Sequence, residues 1–145
     1  MTKRILIADD DLLLRELLVA RLSTTGHDLD LAADGEEALV KLRRRSFDLV
    51  LLDLRMPRMD GIEVLQSMKA IPGHKATKVI VLTGSRSEDD VADAERLGVE
   101  SYLAKPVDIE RLAERIEMVL NPSGSKAQKT WLVEDFTNED VVLRS

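Results

Sequence analysis

The sequence predicts an open α/β fold, a parallel five-stranded sheet wrapped by helices on both faces. Two observations carry this. Short β-type runs alternate with longer amphipathic runs five times along the chain, and three of the strand runs are almost continuously apolar. A strand covered on both faces reads that way because neither side meets water. Five βα units in series lead to a parallel sheet, whose ligands bind beyond the carboxyl ends of the strands.

Each element has its own signal. The first strand, 4–8 (RILIA), runs into three aspartates, Asp9, Asp10 and Asp11. Helix 12–24 follows, with Leu14, Leu17, Leu18 and Leu22 at helical spacing as its core face and Gly26 as its stop. Asp11 then places negative charge at the helix N-terminus. Strand 29–32 (LDLA) precedes helix 35–45, where Asp34 and Glu37 have the capping spacing. The basic cluster Lys41, Arg43, Arg44 and Arg45 complements the C-terminal end of that helix. Strand 48–52 (DLVLL) ends at Asp53, and helix 61–70 comes next. Strand 78–82 (KVIVL) leads to Thr83 and then to helix 87–97, with Ser87 and Asp90 as its cap pair and Gly98 as its stop. Strand 101–104 (SYLA) leads to Lys105, and helix 108–120 ends at Asn121–Pro122. His27 and His74 read as exposed loop residues rather than ligands or bases.

The stretch "NPSGSKAQK" has linker composition. The remainder, "TWLVEDFTNEDVVLRS", is too short for a second domain and is expected either to be disordered or to dock through Trp131 and Phe136. The expected organisation is one domain over 1–121 and a linker with a short tail over 122–145.

Composition bounds the function. The 145 residues are 44% hydrophobic and 33% charged, which is globular and sufficient for one domain. Without cysteine there is no disulfide framework, thiolate metal site or thiol nucleophile. The N-terminus lacks the apolar core of a signal peptide, and no run approaches the length of a membrane span. A cytoplasmic protein with no membrane association is expected. A net charge of −6 argues against direct nucleic-acid binding, which calls for a basic face.

The chemistry gathers at the predicted carboxyl edge. Asp9 and Asp10 end the first strand, Asp53 the third, Thr83 the fourth, and Lys105 follows the fifth. Carboxylates crowded in one cleft raise one another's pKa unless a cation joins them. All-oxygen ligation suits a hard divalent ion such as Mg2+. A hydroxyl and an ammonium beside it complete a cradle for a phosphoryl group, and a carboxylate can itself accept one as an aspartyl phosphate.

Four blocks, "IADDD", "LLDLRMPRMDG", "VLTGS" and "SYLAKP", stand in this order at the ends of predicted strands. Asp53 to Thr83 and Thr83 to Lys105 are separated by 30 and 22 positions. With these blocks the chain resembles a response-regulator receiver domain, the CheY-like phosphoacceptor of two-component signalling, over about residues 3–120. The resemblance implies a flavodoxin-like (βα)5 sandwich with strand order 2-1-3-4-5. It implies that Asp53 receives a phosphoryl group from a histidine kinase or histidine phosphotransfer protein, assisted by Thr83 and Lys105. Asp10, Asp53 and the backbone carbonyl of Arg55 would bind Mg2+ directly and Asp9 through a water. Lys105 would pair with Asp53 at rest, aimed by a cis Lys105–Pro106 bond. Thr83 and Tyr102 would form the switch, read by an effector protein on the face of the fourth helix, fifth strand and fifth helix. Pro57 and Gly61 would shape the loop after Asp53.

The domain is expected to assist its own phosphorylation and dephosphorylation rather than to act as an enzyme. Arg55 and Ser85, two residues after Asp53 and Thr83, would gate the attacking water, so that changing Arg55 alters the lifetime of the phosphorylated state. Glu100 and Ser101 replace the Asp-Asp pair common in one dimerising subfamily, so a monomer or a weak phosphorylation-dependent dimer is expected. Two alternatives stand beside this: the receiver portion of a longer regulator, and an aspartate-nucleophile phosphatase. The phosphatase usually carries a second Asp where this chain has Arg55.

Overall fold

Apolar runs that are buried on both faces must be covered on both, and the computed structural model shows how. It describes residues 2–122 and the backbone of residues 131–134 and 142–144. The elements are β1 (Arg4–Ala8), α1 (Leu12–Leu22), a 3-10 turn (Ser23–Thr25), β2 (Asp28–Ala32), α2 (Gly35–Arg44), β3 (Leu49–Leu52), α3 (Gly61–Lys69), β4 (Lys78–Thr83), α4 (Glu88–Arg96), β5 (Ser101–Ala104) and α5 (Ile109–Leu120). The five strands pair in parallel in the order 2-1-3-4-5. Beyond β5 the backbone of β6 (Trp131–Glu134) pairs with it in parallel, and β7 (Val142–Arg144) pairs antiparallel with β6. From Ser123 onward the linker stretch "NPSGSKAQK" lies outside the described residues, as does the docking of the Trp131 and Phe136 side chains.

Alternation along the strands splits the core in two. Leu6, Val50, Leu52, Val79, Val81 and Tyr102 face one side with α2, α3 and α4, and Ile5, Ile7, Leu49, Leu51, Ile80 and Leu82 face the other with α1 and α5. Every strand residue in β3 is buried, as its unbroken LVLL run requires. The caps follow the sequence: Asp11 accepts from Leu14 N–H, Asp34 from Glu37 N–H and Ser87 from Asp90 N–H. Asp60 and Glu63 add a reciprocal capping box at α3.

Three expectations are corrected. Leu17 is 46% exposed, because the sheet receives only the Leu14, Leu18, Leu22 ridge of α1. Leu17 instead shares the outward row at i, i+4 with Leu13. His74 is buried: Nε2 donates to the Leu42 carbonyl at 2.6 Å, and Nδ1 lies 2.9 Å from Thr77 Oγ1. Thr77 Oγ1 in turn donates to the Phe47 carbonyl at 3.0 Å, and the Phe47 and His74 rings stack 6.5 Å apart. His27 also turns inward, its Nδ1 accepting from Lys3 N–H at 3.1 Å and its Nε2 lying 3.0 Å from Glu117. Each imidazole satisfies buried or partly buried backbone groups at the ends of elements, which composition alone does not reveal.

The His74 network joins the end of α2 to the loop before β4. His74→Ala should therefore destabilise the fold by about 2–4 kcal/mol, combining a lost side chain with an unsatisfied carbonyl. Urea unfolding measures this; a loss below about 0.5 kcal/mol would show the network to be superficial.

Candidate functional site

The sheet order brings together residues that are distant in sequence. The ladder extends past the strand ends: Asp53 N–H donates to the Ala8 carbonyl at 2.9 Å, Asp9 N–H to Ala32 at 3.0 Å and Lys105 N–H to Thr83 at 2.8 Å. Asp9, Asp53, Thr83 and Lys105 are thus held by backbone before their side chains make any contact. β1 and β3 flank the point where the strand order reverses, the usual crevice for a ligand in such sheets.

The two buried carboxylates are oriented alike. Asp9 Oδ1 accepts from Asp11 N–H at 2.8 Å, and Asp53 Oδ1 accepts from Arg55 N–H at 3.0 Å. Their other oxygens meet the Lys105 ammonium, which stands 2.8 Å from Asp9 Oδ2 and 3.1 Å from Asp53 Oδ2. Asp10 is exposed at the mouth. Arg15 Nη1 donates to the Asp9 carbonyl at 2.6 Å and anchors the loop between β1 and α1. On the far side, a Cβ at Gly61 would lie 2.4 Å from the Asp53 carbonyl oxygen, so only glycine lets α3 start this close to the Asp53 backbone. The Lys105–Pro106 bond is cis.

Burial raises the Asp9 carboxyl above its ordinary value, with the Asp53 charge adding to the rise and Lys105 opposing it. Burial alone would lower the Lys105 ammonium, but the two carboxylates outweigh it and hold it above its usual range. Burial likewise pushes the Tyr102 hydroxyl up to about 12, keeping it a neutral donor; it donates a hydrogen bond to the Ser85 carbonyl at 2.8 Å.

The donor set accommodates a divalent cation. Asp9, Asp10 and Asp53 each offer an oxygen, all within 4.8 Å of one another. Asp9 Oδ2 is buried and makes no directed hydrogen bond, despite the nearby ammonium. An oxygen-only cluster of this kind suits a hard cation.

Every sequence-predicted site residue lies at this edge or borders it: Asp9, Asp10, Asp53 and Lys105 in the cleft, Thr83 at the end of β4, and Arg55 and Tyr102 beside it. The contact between Lys105 and Asp9, shorter than that to Asp53, was not expected. Asp90 was also missed beyond its cap role; it is buried and pairs with Arg55. Its signal is positional, since Asp90 shares a helical row with Ala94 and Leu97 on the inner face of α4.

Over residues 5–117 the chain matches the family described as the response regulator receiver domain. It is 38% identical over 133 residues to the transcriptional regulatory protein ZraR of Salmonella typhimurium, covering 86% of this chain and 30% of that protein. The chain thus spans under a third of that relative's length. A CheY-like receiver domain protein from Methanospirillum hungatei superposes with a TM-score of 0.79 at 31% identity, covering 84% of this chain and 96% of that one. The CheX–CheY–BeF3–Mg2+ complex from Borrelia burgdorferi matches with a TM-score of 0.73 at 32% identity, covering 81% of this chain and 88% of that one.

A carboxyl raised by burial stabilises the fold below its ordinary value of 3.8, and loses that contribution as pH rises through its higher folded value. Without divalent cation, wild type should therefore lose stability relative to Asp9→Asn as pH climbs from about 4 to 8. Urea unfolding of both proteins across that range checks this; a difference independent of pH would contradict it.

Proposed function

The chain belongs to the response regulator receiver domain family, and from that premise we propose that Asp53 is its phosphoryl acceptor, charged by a sensor histidine kinase or a histidine phosphotransfer protein. The observation that carries this is the Lys105 ammonium between Asp53 and Asp9, with a third carboxylate, Asp10, in the same cluster. One cation against three carboxylates leaves the cleft anionic, and a phosphoryl transfer there needs further positive charge.

Asp10, Asp53 and the Arg55 carbonyl would hold Mg2+, with Asp9 acting through a water. A cation held there would supply positive charge that offsets the carboxylates and the transferring phosphoryl oxygens. Asp53 is presented by the Arg55 N–H, which leaves Oδ2 facing the cleft and the ammonium. A carboxylate oxygen of Asp53 attacks phosphorus, the P–N bond to the donor imidazole breaks, and the imidazole takes a proton from solvent. Lys105 moves its hydrogen bond from the Asp53 carboxylate to a phosphoryl oxygen, and Thr83 donates its hydroxyl to another. The chain supplies positioning and electrostatic stabilisation, which are the main levers for phosphoryl transfer. Water later attacks phosphorus, releasing inorganic phosphate and restoring the carboxylate. The cycle needs a fresh donor each time, so the domain is a switch rather than an enzyme with sustained turnover.

Thr83 and Tyr102 couple the cleft to the outside by shifting a two-state equilibrium. The output is read by an effector protein on α4, β5 and α5. Leu12, Leu13 and Leu17 of α1 are exposed and offer apolar surface for docking the phosphodonor. Glu100 and Ser101 stand where one dimerising subfamily carries an Asp-Asp pair, which supports a monomer or a weak phosphorylation-dependent dimer.

The receiver unit is 1–121, followed by a linker and tail over 122–145. Matching 30% of the length of ZraR supports a second reading, in which this receiver governs a further output domain of a longer regulator. Any nucleic-acid contact would then belong to that domain. A cytoplasmic setting accompanies the proposal, and among the described residues no helix is long and apolar enough to cross a membrane.

Incubation with acetyl phosphate and Mg2+ should add one phosphoryl group by intact mass, and Asp53→Ala should gain none. A wild type that stays unmodified, or an Asp53→Ala protein modified as fully, would overturn the assignment.

A further inference from the structure

Outside the carboxylate cleft, two loops converge on one oxygen in the first turn of α4. Asp90 Oδ2 pairs with the Arg55 guanidinium and accepts a 2.5 Å hydrogen bond from Ser85 Oγ. Arg55 stands two residues after Asp53, and Ser85 two after Thr83. The junction therefore ties the loops after β3 and β4 to the start of α4. Ser85 extends it further: its N–H donates to Thr83 Oγ1 at 3.2 Å, and its carbonyl accepts from the Tyr102 hydroxyl. Ser87 closes the turn, accepting from Asp90 N–H and donating its own N–H to Ser85 Oγ, both at 3.3 Å.

The partners differ in how firmly they are held. The Asp90 side chain is only 11% exposed and stays fixed by Ser85, whereas the Arg55 side chain is 58% exposed and is tied at its tip. An ion pair with one arm in solvent is weak and exchangeable. The Arg55 N–H stays on Asp53 Oδ1 whichever way its side chain turns. A phosphoryl group on Asp53 would place roughly two negative charges beside the start of this side chain, against one on Asp90. The guanidinium holds Asp90 through Nη2 alone, whereas its planar fork suits bidentate pairing with phosphoryl oxygens.

We propose that Arg55 is an exchangeable clamp: through Asp90 it holds α4 while Asp53 is unmodified, and it transfers to the phosphoryl oxygens once Asp53 carries them. The transfer rests on Asp53 being the acceptor; the resting clamp does not. Transfer leaves Ser85 and the first turn of α4 without their cationic tie, next to the Thr83 and Tyr102 hydroxyls. It also makes Asp90, a residue outside the cleft, a determinant of how long the acyl phosphate survives. The more firmly Asp90 holds Arg55, the less the guanidinium covers the phosphoryl group against water.

Hydrogen exchange of the 145-residue chain, followed in peptides spanning 85–92, tests both halves. In the unmodified protein Arg55→Met and Asp90→Asn should each speed exchange there about three- to tenfold, with the double variant no faster than either single one. Unchanged exchange in Arg55→Met would overturn the clamp, whatever the site's function. Adding Mg2+ with beryllofluoride, a phosphoryl mimic, should speed the same peptides in wild type and have little further effect in Asp90→Asn. A mimic that protects residues 53–61 yet leaves 85–92 unmoved would overturn the transfer alone. A mimic that protects neither would overturn the acceptor reading and the transfer with it. Finally, acyl phosphate decay should be at least about threefold slower in Asp90→Asn than in wild type, and that difference should vanish in an Arg55→Met background. Additive effects of the two changes would contradict the competition.

Discussion

Lys105 reaches from the end of β5, past the end of β4, to carboxylates on two further strands, and the rest of the site is arranged around that reach. Asp53 and Asp9 are nearly fully buried, and burial with the neighbouring Asp53 charge raises the Asp9 carboxyl. At an effective dielectric near 20, an ammonium at contact distance offers about 4 kcal/mol of attraction to each, against a desolvation penalty of several kcal/mol per ion. The balance is close. That explains why Asp9 remains raised despite its ion pair. Crossing β4 also calls for a long unbranched stem, and lysine carries its charge at the end of four methylenes.

Order in the backbone makes this balance hold. The same small device acts twice: the N–H two residues after each buried aspartate takes one carboxylate oxygen and turns the other toward Lys105. Asp11 supplies that N–H for Asp9 and caps α1 with its side chain, so the start of the helix and the aim of the carboxylate are set together. Arg55 does the same for Asp53 while its side chain leaves for α4. The two neighbours are alike in backbone role and different in side-chain reach, and that difference lets one of them report on the cleft.

The legible part of this protein was what short-range patterning and strand order control. Alternating apolar runs located β1 to β5 and helices α1 to α5 to within one or two residues, though not β6 or β7, and the acidic and polar residues at the ends of β1 to β5 identified the cleft. What escaped were contacts set by tertiary packing. His74 and His27 lie in loops by pattern yet satisfy backbone groups that only the folded ends of α2 and β1 bring near. Leu17 has the spacing of a core residue, but α1 is set so that only its Leu14, Leu18, Leu22 row is buried. Asp90 looked like the partner of a helix cap, because its N–H is one; its carboxylate, turned inward to Arg55 and Ser85, obeys a distance that sequence separation hides.

The central claim is that the carboxyl edge of this sheet takes a phosphoryl group on Asp53 in a cation-dependent way. Borohydride reduction after treatment with acetyl phosphate and Mg2+ tests it most directly, because it converts an acyl phosphate to an alcohol that peptide mass spectrometry can locate. Homoserine is expected at position 53 and at no other aspartate, with none formed when the cation is chelated. Homoserine at Asp9 or Asp10, or labelling that survives chelation, would contradict it.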